Sequence, residues 1–241
     1  MDEQNGSSAG TALVTGANTG IGKEIARQLL AAGYAVHVGS RDAARGQAAV
    51  EELGDGARLL VIDVTGQKSV EEAAGQVGEL DVLVNNAGIS GEVTSVAQAG
   101  AEEFRRVYET NVFGVVTVTN AFLPALRRSP RPRIVNVSSE TGSIAYSVRR
   151  GSALAATYAA YRSSKTALNE LTVLYAAELA DSGFKVNAVA PGIRRTGLND
   201  RAAELGGDPA EGAAGAVRLA LLPDDGPTGG FFQWDGSGLD W

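Results

Sequence analysis

The sequence has 241 residues, of which 44% are hydrophobic and 20% charged, and its formal net charge is −7. This composition is ordinary for a globular protein, and an acidic chain without a basic block is a poor candidate for binding nucleic acid or anionic membranes. Because there is no cysteine and only one histidine, His37, disulfide scaffolds, thiolate chemistry and metal sites with two histidines are excluded. No stretch approaches the roughly 20 apolar residues that span a bilayer, and the acidic start is unlike a signal peptide, so a cytoplasmic protein is expected.

Apolar runs alternate with helical patterns along most of the chain. Strands are predicted at 11–17, 34–40, 57–63, 80–86, 133–139, 184–190 and 229–234. Helices are predicted from 20 to a stop at Gly33, from Asp42 to about Leu53, and at about 67–78, 101–128 and 157–180, with Pro124 bending or ending the longest one. Apolar strands separated by helices predict an α/β fold, a doubly wound, seven-stranded parallel sheet with helices on both faces.

The chain is predicted to form a single domain. Residues 1–9 are expected to be a disordered tail and residues 10–241 one domain, because neither a linker nor an internal repeat interrupts the alternation. Two segments, 140–157 and 192–228, break that alternation. Ligands of this fold bind beyond the carboxyl ends of the strands, so both segments are predicted to be long loops that form a lid or a pocket wall.

A glycine-rich turn, Thr15-Gly16-Ala17-Asn18-Thr19-Gly20-Ile21-Gly22, joins the first predicted strand to the first helix. Small residues let the backbone approach a pyrophosphate, and the helix N-terminus offers free N–H groups and a partial positive charge. A turn without a ligand is the alternative, and the spacing Gly-x-x-x-Gly-x-Gly differs from the Gly-x-Gly-x-x-Gly of many dinucleotide folds. The predicted cofactor contacts in this turn are Gly16, Asn18, Thr19, Gly20 and Ile21.

Polar residues end the next predicted strands at the same edge of the sheet. Ser40 and Arg41 suit a 2′-phosphate and favour NADP, whereas a solvated Arg41 or an Asp42 that binds the ribose of NAD are the alternatives. Asp63 either accepts a hydrogen bond from the adenine amino group or caps a helix. The other predicted cofactor contacts at this edge are Val64, Asn85, Ala87 and Gly88.

The sequence Tyr161-Arg162-Ser163-Ser164-Lys165 places a phenol and an amine four residues apart on one face of a helix. A buried ammonium group lowers the pKa of a nearby phenol from about 10, so that the phenol can exchange a proton near neutral pH. Tyrosine and lysine also occur at this spacing by chance. Tyr158 has Arg162 as its i+4 partner, and the pKa of arginine is too high for proton transfer.

Taken together, TGANTGIG, Asp63, NNAG, Asn111, NVSS, YRSSK and Pro191-Gly192 occur in order on the predicted elements. Over about residues 10–234 the chain resembles the short-chain dehydrogenase/reductase family, and its ANTGIG, ARQL, SRD and AVEEL stretches are most similar to carbonyl-reductase-type members. The resemblance implies a Rossmann-type fold and an oxidoreductase that interconverts a ketone or aldehyde and an alcohol by hydride transfer. It implies NADP(H) as the cofactor, with NAD less favoured.

The resemblance also implies roles for individual residues. Tyr161 matches the family's acid/base, and Lys165 matches the residue that lowers the pKa of that tyrosine and binds the nicotinamide ribose. Ser139, rather than Ser138, matches the serine that binds the substrate oxygen. Asn111 matches the asparagine that bonds a backbone carbonyl and holds a water molecule linking the lysine to solvent. Further cofactor contacts are implied for Pro191, Gly192, Ile193 and Thr196.

Three features depart from the family pattern. Ser139 and Tyr161 are 22 positions apart, more than is usual, so 140–157 carries an insertion and the oligomeric state (dimer, tetramer or monomer) stays open. Thr19 stands where relatives that prefer NADP often have a basic residue. The segment after Thr196 is short and polar, which predicts a small or mobile lid.

Other functions stay open at this point. The same fold serves enone or imine reduction and sugar-nucleotide epimerisation, and a non-catalytic protein could sense the nicotinamide state. Four matched groups argue against a non-catalytic protein. An acyl-carrier ketoreductase would need a basic docking patch, for which Arg194-Arg195 is a hint. The expected partner is a small carbonyl or alcohol substrate, without nucleic acid or membrane.

Overall fold

The computed structural model describes residues 8–151 and 156–241. Its seven strands are β1 (Gly10–Val14), β2 (Tyr34–Ser40), β3 (Ala57–Val61), β4 (Val82–Asn85), β5 (Arg133–Val137), β6 (Lys185–Ala190) and β7 (Phe231–Gln233). They form one sheet in the order β3-β2-β1-β4-β5-β6-β7, in which every paired strand is parallel. The predicted α/β fold with a seven-stranded parallel sheet is therefore confirmed.

The helices lie between the strands and on both faces of the sheet. They are α1 (Gly20–Ala31), α2 (Ala43–Leu53), α3 (Gln67–Ala74), α4 (Ala101–Tyr108), α5 (Gly114–Leu126), α6 (Ile144–Arg150), α7 (Ala159–Glu178), α8 (Asp200–Leu205) and α9 (Pro209–Ala220). A π-helical segment, Glu109–Phe113, joins α4 to α5. Asp42 caps α2 by accepting a hydrogen bond from the Arg45 N–H at 3.0 Å, as the sequence predicts.

The core lies on both sides of the sheet because successive strand residues point to opposite faces. In β1, Ala12 and Val14 pack with α1 and α9, whereas Leu13 packs with α3, α5 and α7. The chain enters the sheet at the interior strand β1, builds one side through β2 and β3, and then crosses to β4. This reversal opens a crevice at the carboxyl ends of β1 and β4, which is where an open parallel sheet binds its ligands.

The predicted helix over 101–128 is not continuous. It is interrupted by the π segment at Glu109–Phe113, because the Asn111 side chain bonds the backbone of Ile89 from that position. Pro124 lies inside α5, which runs on to Leu126, so the proline does not cause the interruption.

The segments 140–157 and 192–228 are not simply long loops. The first contains a 3₁₀ turn and α6, and the second contains α8 and α9, which packs its alanine-rich face against α1 and the sheet. Residues 152–155 lie outside the described part. Residues 1–7 of the predicted tail also lie outside it, and Ala9 already donates a backbone hydrogen bond to Gly33 at 2.9 Å.

Candidate active site

A cavity of about 600 Å³ opens at the carboxyl ends of the central strands. Its walls come from the β1–α1 turn, the residues that follow β2 to β5, the first turns of α7, and the segment 191–198. The structure brings most of the predicted site residues to this one cavity: Gly16, Asn18, Thr19, Gly20, Ile21, Ser40, Arg41, Asp63, Val64, Ala87, Gly88, Tyr161, Lys165, Pro191 and Thr196.

The β1–α1 turn has the backbone that a bound pyrophosphate requires. Gly16 and Gly20 adopt left-handed conformations with φ of +63° and +56°, which favour glycine. A Cβ on Gly22 would lie 2.5 Å from the Gly16 carbonyl oxygen. Thr19 gives α1 no side-chain cap, so the N–H groups of its first turn are available to an anion.

Hydrogen bonds join the ends of β1 and β4 beneath the cavity. The Thr15 hydroxyl accepts from the N–H groups of Asn86 and Ala87, both at 3.0 Å, and the Asn86 amide donates to the Thr15 carbonyl at 2.8 Å. The predicted residue Asn85 lies away from the cavity. Its buried amide donates to Thr119 and Asn136, so Asn86 lines the wall in its place, a residue that the sequence analysis missed.

The far end of the cavity carries two arginines. Arg41 is exposed after β2, and Arg45, four residues later on α2, lines the same wall, although the sequence analysis did not single it out. The Ser40 hydroxyl donates to the Asp42 carbonyl at 2.8 Å and accepts from the Asp42 N–H at 3.3 Å. Ser40 therefore shapes the turn with its hydroxyl.

Asp63 lies at the neighbouring wall. One carboxylate oxygen accepts from the Thr65 N–H at 3.0 Å and from the Thr65 hydroxyl at 2.8 Å. The other carboxylate oxygen has no bond of this kind among the described residues. Asp63 thus stabilises the local turn and also lines the cavity. Both of its predicted roles, a hydrogen bond from adenine and a helix cap, therefore stay open.

Ser139 and Tyr161 meet although 22 positions separate them in the chain. The Ser139 side chain interacts with the Tyr161 side chain and lowers its pKa, and the Ser139 hydroxyl lies 2.9 Å from the Thr141 hydroxyl. Ser139 itself does not line the cavity. Ser138 lines the cavity, but its buried hydroxyl donates to the Asn169 amide oxygen at 2.5 Å. The geometry therefore favours Ser139 as the serine beside the phenol.

Lys165 is buried next to Tyr161. Its ammonium group donates to the Val137 carbonyl at 2.8 Å and lies 5.7 Å from the centre of the Tyr161 ring. Burial lowers the pKa of Lys165 from 10.5 to about 8. Burial also raises the pKa of Tyr161, and the Ser139 side chain lowers it by a smaller amount, so the pKa lies above its ordinary value of 10.0. The predicted lowering of this pKa by Lys165 stays a prediction.

Asn111 fixes the segment after β4 beside Lys165. Its amide donates to the Ile89 carbonyl and its oxygen accepts from the Ile89 N–H, both at 2.9 Å, and the amide also donates to the Ser164 hydroxyl. The predicted bond to a backbone carbonyl is confirmed. A Cβ on Gly88 would lie 3.3 Å from the Asn111 oxygen, so this corner is closely packed.

Several residues of the segment 191–198 lie apart from the cavity. Gly192 and Ile193 do not line it, and Ile193 is 50% exposed, so their cofactor contacts stay predictions. Arg194 is buried, so Arg194 and Arg195 do not form a basic patch.

The described part of the chain offers neither a cluster of metal ligands nor a helix that could span a membrane. Within 8–151 and 156–241, no group of three or more His, Asp or Glu side chains is placed to hold a metal ion. None of the helices in these ranges has the length and hydropathy needed to cross a membrane.

Comparison with known proteins identifies the family. A family model described as short chain dehydrogenase matches residues 10–205. Salutaridine reductase of Papaver bracteatum is 33% identical, with 92% of this chain and 93% of that protein covered. (+)-Neomenthol dehydrogenase of Arabidopsis thaliana is 36% identical, with 92% and 95% covered. The crystal structure of NADPH-bound carbonyl reductase from chicken fatty liver superimposes with a TM-score of 0.81 at 27% identity, over 98% of this chain and 100% of that one. The chain therefore belongs to the short-chain dehydrogenase/reductase family of oxidoreductases.

Proposed function

We propose that this protein is an NADP(H)-dependent oxidoreductase that interconverts a ketone or aldehyde and an alcohol, with Tyr161 as the acid/base. The observation that carries the proposal is that Tyr161, which interacts with Ser139, and Lys165 line one cavity together with the glycine-rich turn and the exposed Arg41 and Arg45. A long cavity with an anion-binding backbone at one end and a proton donor at the other fits a dinucleotide and a small substrate.

The residues present fit the cofactor. The left-handed glycines and the uncapped start of α1 would hold its pyrophosphate, and Lys165 would hold its nicotinamide ribose. When bound, the nicotinamide supplies or accepts the hydride. The chain's own groups then act on the substrate oxygen.

Ser139 and Tyr161 stabilise the negative charge that develops on the substrate oxygen during reduction. Their two hydroxyl groups donate hydrogen bonds to it, and Tyr161 transfers its proton. Lys165 is predominantly charged at neutral pH because its pKa is about 8, and its positive charge favours loss of that proton. Asn111 positions the backbone around the lysine. A water molecule that connects Lys165 to solvent stays a prediction.

The residues at the end of the cavity that would hold the adenosine favour NADP over NAD. Arg41 and Arg45 offer two guanidinium groups beside the place where a 2′-phosphate would lie, and an arginine fork matches phosphate oxygens. The carboxylate of Asp42, which would have to serve a ribose hydroxyl of NAD, accepts the capping hydrogen bond of α2. The NADPH-bound carbonyl reductase is a relative of similar fold. A cytoplasmic location, the absence of nucleic-acid and membrane partners, and the oligomeric state stay predictions.

The test replaces Tyr161 with phenylalanine and measures NADPH oxidation with a panel of ketones. Removal of one hydroxyl group should leave NADPH binding nearly unchanged and should reduce turnover by about 10²-fold or more, the scale of lost acid/base catalysis. Tyr158→Phe, three residues earlier in the chain, is the matched control and should retain wild-type turnover. Wild-type turnover in Tyr161→Phe would disprove the assignment. Tight NADPH binding without turnover of any carbonyl would instead support a different reduction or a non-catalytic binding protein.

A further inference from the structure

Arg194 has a buried guanidinium group directly behind the segment 191–198. Only 7% of this residue is exposed, whereas its neighbour Arg195 is exposed. The segment closes one side of the cavity with Pro191 and with the residues 196–198, but Arg194 itself does not line the cavity. Its charge is therefore directed into the protein, away from any ligand.

The guanidinium group joins three separate elements. Its Nε donates to the Pro191 carbonyl at 2.7 Å, and its Nη1 donates to the Glu211 carboxylate on α9 at 2.6 Å. The guanidinium carbon also lies 4.4 Å from the centre of the Trp234 ring, which follows β7. Only arginine combines a planar fork of donors with a face that stacks on an aromatic ring.

The surrounding backbone leaves space for this side chain. A Cβ on Gly207 would lie 2.7 Å from the Arg194 Nη1, and one on Gly212 would lie 2.8 Å from the Arg194 Cγ. Gly192 turns the chain with φ of +72°, and a Cβ there would lie 3.5 Å from both Arg194 Nη2 and the Trp234 ring. A larger residue at Gly207 or Gly212 would displace part of the Arg194 side chain.

The segment that Arg194 supports lines the cavity and contacts the start of α1. Thr196 lies over the start of α1, where a Cβ on Gly20 would meet its side chain at 3.1 Å. Pro191 lines the part of the cavity that leads to Tyr161 and Lys165. Movement of the segment would therefore change the wall that faces the middle and the reactive end of a bound dinucleotide.

We propose that Arg194 is a positioning residue, which holds the segment 191–198 in the shape that binds the nicotinamide half of the cofactor. It acts through the Pro191 carbonyl and through α9, without touching the cofactor. The inference rests on the proposed function, because the proposed roles of Tyr161 and Lys165 define which end of the cavity receives the nicotinamide.

The experiment compares two probes that differ in how much of the cavity they use. NADPH would extend along the whole cavity, whereas adenosine 2′-monophosphate, which lacks the pyrophosphate and the nicotinamide half, would use only the end near Arg41. Arg194→Met keeps the apolar stem and removes the charge and the donors. This variant should lose about 10-fold or more in NADPH affinity, the scale of a lost charged hydrogen bond, and less than about 2-fold in affinity for adenosine 2′-monophosphate.

Companion variants separate positioning from a general loss of folding. Arg194→Lys should recover part of the NADPH affinity, because one ammonium group replaces only some of the donors. Glu211→Gln keeps the shape of the half-exposed partner and should weaken NADPH binding in the same direction by about 3-fold. Arg127→Met, at an exposed position after α5, is the control and should match the wild type for both probes.

The outcomes distinguish the two proposals. An unchanged ratio of the two affinities in Arg194→Met would overturn the positioning role, whether both affinities stay the same or fall together. If Arg194→Met folds poorly, as shown by its melting temperature, the same ratio in Glu211→Gln decides the question. A wild-type protein that binds neither probe would contradict the proposed function itself. If the wild type binds NADPH yet reduces no carbonyl, the proposed reaction is contradicted, and the affinity ratio still tests the role of Arg194.

Discussion

The buried ammonium group of Lys165 should give the stability of this protein a specific dependence on pH. Burial makes the charged form less favourable and lowers the pKa of Lys165 from 10.5, its ordinary value in the unfolded chain, to about 8. Between these two values the unfolded state binds more protons than the folded state. Stability therefore rises as the pH increases through this window, and the full penalty is present below pH 8.

The shift sets the size of the effect. At 1.36 kcal/mol per pKa unit, a change from 10.5 to about 8 corresponds to about 3 kcal/mol of destabilisation at neutral pH. Of this, about 2 kcal/mol should be recovered between pH 7 and pH 9.5. Burial raises the pKa of Tyr161 above its ordinary value of 10.0, so its titration in the folded state lies above that range.

The assay is urea unfolding, followed by circular dichroism, of the wild type and of Lys165→Met at pH 7, 8, 9 and 9.5. All other titrating groups are common to the two chains, so the difference between their unfolding free energies isolates Lys165. The wild type should gain about 2 kcal/mol relative to the variant over this range. A difference that does not change with pH would mean that Lys165 keeps its ordinary pKa, and the argument from burial would be refuted.

Two further predictions concern neighbouring pairs of side chains. Ser139→Ala should lower turnover by about 10²- to 10³-fold, because one donor to the substrate oxygen is lost. Ser138→Ala should mainly lower the free energy of unfolding, by about 1–3 kcal/mol, because it removes the donor to the buried Asn169 amide oxygen. Steady-state kinetics and urea unfolding of both variants check this, and equal turnover of the two would contradict it. Replacement of Arg41 and Arg45 together by alanine should raise the KM for NADPH by about 10-fold or more and leave the KM for NADH nearly unchanged, and a parallel rise of both values would argue against a 2′-phosphate site.

The sequence predicts the sheet and the place of the site because both depend on local patterns. The predicted strand 34–40 coincides with β2, and the helix predicted after Asp42 ends at Leu53 as α2 does. Each is bounded by a strong local signal, such as the Asp42 cap or the glycine that follows the helix. Because the carboxyl ends of parallel strands lie at one edge of the sheet, the polar residues that follow several strands are expected to lie near one another. This expectation requires no knowledge of tertiary contacts.

Other features depend on tertiary contacts and have weaker local signals. The helix α9 contains two glycines, Gly212 and Gly215, which disfavour a helix, yet small residues are what allow it to pack closely on α1 and against Arg194. The π segment is set by the bonds of Asn111 to Ile89, which lies 22 residues earlier. The burial of Arg194 beside an exposed Arg195 depends on Glu211 and Trp234, which the chain brings in from later elements.

The pairs Asn85-Asn86 and Ser138-Ser139 each combine a residue that has a structural role with a neighbour that has a proposed role in the site. In each pair the first side chain makes buried hydrogen bonds, whereas Asn86 lines the cavity and Ser139 interacts with Tyr161. The Asn85 amide donates to Asn136 on β5, and the Asn136 amide in turn donates to Thr172 on α7.

Ser138 also bonds α7, through Asn169. These buried hydrogen bonds join β4, β5 and the helix that carries Tyr161 and Lys165. A buried polar group without its partner is costly, so the helix has one favoured position against the strands. The buried hydrogen bonds of the first residue in each pair thus hold α7 against the strands, and the position of α7 sets how closely Tyr161 approaches Ser139.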